Sequence, residues 1–84
     1  MARSAATTFR ELDVVRVASL KTPTREVTGS RGASRHPIIG DIGTIVHALG
    51  PAHFIVECVD ADGHTVWLAD FELDELDLRA PAVP

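Results

Sequence analysis

Four histidines and one cysteine are the soft metal donors of this chain, and His47, His53, Cys58 and His64 fall near enough in sequence to suggest a zinc set. Structural zinc sites usually present pairs of ligands about two to five residues apart on a turn or helix end. Here the donors fall on predicted strands, and His53 and Cys58, an odd number of residues apart, point to opposite faces. The pattern predicts no metal site. Cys58 is no better placed as a nucleophile, because a thiolate needs an electropositive setting and its neighbours are Glu57 and Asp60. It reads as a small buried hydrophobe. The carboxylate row Asp70, Glu72, Asp74, Glu75 and Asp77 could in principle supply a general acid and base. That chemistry needs a pocket that drives two proton affinities apart, and a small barrel filled by its own side chains has little room for one. The row therefore predicts a solvated acidic rim, or a docking surface for a basic protein. Gly40-Asp41-Ile42-Gly43 lacks the Gly-Lys-Ser/Thr ending of a phosphate loop, and no helix follows it. No cofactor and no enzymatic activity are expected.

The aromatics are few: Phe9, Phe54, Trp67 and Phe71. If Val66 and Leu68 face inward, strand alternation leaves Trp67 partly exposed. An exposed Trp among Asp62, Asp70 and Glu72 suits a protein contact, since nucleic-acid platforms set their aromatics beside Lys or Arg. The equal alternative has Trp67 closing the end of the core. The candidate partner-binding set is thus Trp67, Asp70, Glu72, Asp74 and Glu75. The alternative function is RNA or DNA binding, with Arg25, Arg31 and Arg35 reaching phosphates.

Charge weighs against that alternative. The net charge of −4 divides unevenly: residues 1–40 hold seven of the eight basic side chains, and residues 41–84 hold nine of the twelve acidic ones. The strand-like half is the acidic half, whereas a phosphate binder wants Lys and Arg on its ordered face. The partners expected are proteins, either a second copy or a neighbouring gene's product, with neither nucleic acid nor membrane. No stretch approaches the roughly 20 apolar residues of a membrane span, and no signal peptide is evident, so a soluble, cytoplasmic protein is expected.

These groups must be positioned by a single small domain, since 84 residues do not make two. Residues 1–8 are expected to be a disordered leader, 9–79 the domain, and 80–84 a tail. Leu12 to Ala18 predicts a first strand with Val15 and Val17 on one face. Residues 21–37, rich in Pro, Gly, Ser and Arg, predict a long mobile loop. Gly40-Asp41 predicts a tight turn, and Ile42 to Leu49 a strand with Ile42, Thr44, Val46 and Ala48 on one side. After a turn at Gly50-Pro51-Ala52, His53 to Val59 forms the next strand, with Phe54, Val56 and Cys58 together. Asp60-Ala61-Asp62-Gly63 is a strong hairpin signal, leading into Thr65 to Ala69. Leu73 and Leu76 suit one 3₁₀ turn before a last strand, Leu76 to Leu78. Five short strands with almost no helix predict an all-β fold, a small bent barrel. Such a domain buries only about 60–65% of its unfolded surface, which favours self-association.

Three segments, Glu11-Leu12-Asp13-Val14-Val15, Gly40-Asp41-Ile42-Gly43-Thr44-Ile45-Val46 and Glu72-Leu73-Asp74-Glu75-Leu76, together resemble a family of small bacterial proteins of unknown function with an SH3-like barrel. The central segment is also similar to the KOW segment of ribosomal and transcription-factor barrels. The resemblance covers about residues 10–79 and implies a five-stranded SH3-like barrel. It implies no catalytic residues. Related barrels dock on larger enzymes, bind RNA or pair with a neighbouring gene's product.

Overall fold

The computed structural model describes residues 8–22 and 35–82. Most of the expected leader (1–7) and of the expected loop (23–34) lies outside the described residues, as do Arg25 and Arg31. Five strands follow one another: β1 (Val14–Val17), β2 (Ile42–Gly50), β3 (His53–Val59), β4 (Thr65–Glu72) and β5 (Leu76–Ala80), with a 3₁₀ turn at Leu73–Glu75 between the last two. All pair antiparallel in one sheet of order β4-β3-β2-β1-β5, so β4 and β5 are its edges and the sheet is not closed.

Side-chain alternation gathers a single core on one face. It comprises Val15 and Val17 from β1, Ile45 from β2, Phe54, Val56 and Cys58 from β3, Trp67, Ala69 and Phe71 from β4, and Leu76. Cross-strand pairs build it in rows: Phe54 lies opposite Phe71, Val56 opposite Ala69 and Cys58 opposite Trp67. The Trp67 and Phe71 rings sit 5.4 Å apart, and Phe9 meets Phe54 edge-on at 5.5 Å.

Several expectations shift by a residue or a face, each for a local reason. β1 begins at Val14 because Leu12 takes φ 75, outside any strand, and its N–H donates to Ile45 O at 2.7 Å. A bulge near Val46 breaks the alternation of β2, so Ala48 packs on the core while Val46 and His47 are exposed. In β4 the alternative that sets Trp67 in the core holds: Trp67 is fully buried, whereas Val66 and Leu68 are half-buried on the other side. The inner row of β3 imposes this, because the hairpin register sets Trp67 against Cys58. β4 also runs on through Phe71 and Glu72, and β5 extends past Leu78 to Ala80 instead of giving way to a tail. Ala82 N–H, beyond the strand, still donates to the buried Asp13 carboxylate at 2.7 Å.

Gly43 is fixed by space. A Cβ there would lie 2.6 Å from Val56 Cγ1 and 2.8 Å from Glu57 O, so β2 and β3 approach as closely as they do only because no side chain intervenes. No helix among the described residues is long and apolar enough to cross a membrane.

Candidate functional site

With Trp67, Ala69 and Phe71 turned inward, Asp70 and Glu72 project from the opposite face of β4, and the 3₁₀ turn carries Asp74 beside them. All three carboxylates are exposed. Lys21, on the segment that leaves β1, reaches across to two of them: its Nζ lies 2.9 Å from Glu72 Oε1 and 2.8 Å from Asp74 Oδ2. Hydrogen bonds to Asp74 and Glu72 push the ammonium above its ordinary proton affinity. His53 Nε2, at the start of β3, lies 3.6 Å from Asp70 Oδ2.

Glu75 stands apart from this exposed set. It is 2% exposed, with Oε1 accepting from Glu72 N–H at 2.9 Å and Oε2 from Lys21 N–H at 2.8 Å. Its own carbonyl accepts from Ala18 and Ser19. The side chain ties the end of β1 to the 3₁₀ turn, so it is withdrawn from the partner-binding set. Trp67 is withdrawn as well, since a fully buried indole cannot touch a partner. The structure therefore brings together Asp70, Glu72 and Asp74 of the five candidates.

Asp70 and Glu72 help frame a surface pocket of about 140 Å³, lined also by Lys21, Thr22, His53 and Phe71, with Glu75 in its wall. A more open hollow of about 260 Å³ lies against Ala52, Leu73, Glu72 and Asp74. A small domain filled by its own side chains leaves little room for an internal pocket. The space exists on the surface, where the chain leaving β1 passes the 3₁₀ turn.

Trp67 depends on a second group that strand patterning does not reveal. Its Nε1–H donates to Asp41 Oδ2 at 2.9 Å. The same carboxylate accepts from Ile38 N–H at 3.0 Å and from the Arg35 guanidinium at 2.8 and 3.0 Å. Burial alone would raise the Asp41 carboxyl, but the hydrogen bonds from Arg35, Ile38 and Trp67, with the Arg35 charge, outweigh it and hold the group below its ordinary value. Arg35, a candidate for phosphate contact, is thus engaged with an internal carboxylate. The clue in the sequence was the need of a lone buried Trp for an acceptor. Gly40-Asp41 by itself signals a turn and names no partner for the Asp41 carboxylate.

Burial raises the Cys58 thiol, and the Asp41 charge adds to the effect against Arg35. Among the described residues, the only cluster of three or more His, Cys, Asp or Glu donors that could share an ion is Asp60, Asp62 and His64, within 4.8 Å of one another. It is not the histidine–cysteine set considered from sequence. The hairpin turn accounts for the cluster, since Asp60 Oδ1 accepts from the N–H groups of Asp62 and His64 at 2.9 and 3.0 Å.

No family model, no curated protein and no solved structure matches the chain.

Proposed function

We propose that this chain is a non-enzymatic, cytoplasmic protein-binding module with an SH3-like barrel fold, which docks on a basic protein partner through its acidic rim. The strand order, with β5 beside β1 and a 3₁₀ turn joining the two sheet edges, supports the barrel reading. The observation that carries the function is the exposed trio Asp70, Glu72 and Asp74, set between two hollows. A partner's Lys or Arg needs carboxylates for its head and apolar surface for its stem. Glu72 and Asp74 offer the first, and Leu73 and Ala52 the second. Lys21 occupies that position in the free protein, so an incoming cation must outcompete an internal one. Against the nucleic-acid alternative, a phosphate would have to displace Asp41 from Arg35.

Fluorescence anisotropy of a labelled arginine-rich peptide, set beside a labelled single-stranded oligonucleotide, tests the assignment. The peptide is expected to bind at low salt and to release as salt rises, with the oligonucleotide silent. Oligonucleotide binding with no peptide binding would overturn the proposal.

A further inference from the structure

The edge strand β5 carries a pattern that none of the foregoing uses. It reads Leu76-Asp77-Leu78-Arg79-Ala80, and Arg79 is the only basic residue after position 40. Four of its five residues are exposed, Leu78 at 51% although it lies opposite the fully buried Val15. Leu78 thus lies exposed on the edge strand of the sheet.

The ladder fixes which backbone groups face outward. Val17 N–H donates to Asp41 O on the β2 side, and Ala18 N–H donates to Glu75 O on the β5 side. Alternate residues of a strand turn to opposite neighbours, so Val15 and Val17 serve β2 whereas Arg16 serves β5. Asp77, opposite Arg16, therefore directs its N–H and C=O at β1 and Leu78 turns its own to the open edge, whereas the Leu76 N–H is already spent on Leu73 O in the 3₁₀ turn. A register shift leaves Arg79 with no residue opposite it on β1.

We infer that this edge pairs with the same edge of a second copy, antiparallel about a two-fold axis through Leu78. That register alone makes Leu78 a hydrogen-bonded pair with its own counterpart, exchanging two N–H···O=C bonds. It sets Asp77 of each copy beside Arg79 of the other, within reach of an ion pair across the seam. The two Leu78 side chains meet over the seam. The contact is isologous and closes at two subunits. β4, the other edge, offers no such match, because its charged residues are Asp70 and Glu72 alone. The inference stands apart from the acidic-rim proposal, whose residues lie on β4 and the 3₁₀ turn.

Sedimentation equilibrium of the full chain across a range of concentrations tests it. The wild type is expected to reach twice the monomer mass. Arg79→Asp, which sets two like pairs across the seam, should weaken the dimer about tenfold. The charge exchange Asp77→Arg with Arg79→Asp should restore it. Trp67 fluorescence and far-UV circular dichroism report whether each variant is folded, and Leu78→Lys supplies an independent block of the edge if Arg79→Asp misfolds. A wild-type monomer at every concentration overturns the inference. So does a dimer indifferent to both Arg79→Asp and Leu78→Lys, or one that the charge exchange fails to rebuild.

Discussion

Replacing Asp41 by Ala should be among the most damaging single changes outside the apolar core. It strands the Trp67 N–H in a site with no exposure, and an unmade buried hydrogen bond costs about 1–3 kcal/mol. The Ile38 N–H lies at the surface and recovers a water partner. The Arg35 guanidinium is about half exposed, so loss of its pairing adds less than about 1 kcal/mol. The expected loss is thus roughly 1–4 kcal/mol, from a total of roughly 4–12 kcal/mol for a chain of this length. For a domain of this size, that lowers the thermal midpoint by roughly 4–30 °C. Thermal unfolding followed by far-UV circular dichroism measures the shift. A double-mutant cycle with Trp67→Phe isolates the hydrogen bond, because Asp41→Ala should cost at least about 1 kcal/mol less once the indole N–H is gone. Strict additivity, or a midpoint shift of less than about 3 °C for Asp41→Ala, would refute the reasoning. Acid supplies a further check. Because the folded protein holds Asp41 below its ordinary value of 3.8, the stabilisation is complete above that pH and is lost as pH falls through the lower folded value. The stability gap between wild type and Asp41→Asn should therefore stay level from pH 7 to about pH 5 and narrow only in stronger acid.

Three further predictions follow from the contacts described. Glu75→Gln turns an amide NH₂ toward either Lys21 N–H or Glu72 N–H, where two acceptors were needed, and should cost about 2 kcal/mol in denaturant unfolding. Gly43→Ala forces a Cβ against the Glu57 carbonyl and should lower the thermal midpoint by more than about 4 °C, as overpacking at backbone costs roughly 1–3 kcal/mol. Cys58, 7% exposed and with its thiol raised by burial, should react with a disulfide reagent at neutral pH only as fast as the protein opens; labelling at the rate of a free thiol contradicts its placement.

The strands were legible in the sequence because their signals are local. The Asp60-Gly63 turn, with Gly63 at φ 84, and the inner row Phe54, Val56 and Cys58 follow from turn chemistry and period-two alternation alone. β4 was not legible in the same way. Val66 and Leu68 are as apolar as Trp67 and Ala69, so alternation cannot choose the buried face, and only the register against β3 decides it. The bulge near Val46 likewise follows from pairing between strands and has no marker within β2. Of the acidic row, Asp70, Glu72, Asp74 and Asp77 lie at the surface, as the row predicts. The row gave no reason to single out Glu75, whose burial comes from contact with a segment more than fifty residues earlier in the chain. Lys21 was hidden for the same reason: its two carboxylate partners are close only after β1 and the 3₁₀ turn have met.

The central claim is that the rim formed by Asp70, Glu72 and Asp74 receives basic side chains. Residue-resolved amide NMR during titration with an arginine-rich peptide tests it most directly. The largest shifts should fall on Lys21, His53 and residues 70–74, and should vanish in the Asp70→Asn, Glu72→Gln, Asp74→Asn variant. Shifts centred instead on Arg35 and the Gly40 turn, or an undiminished response in that variant, would contradict it.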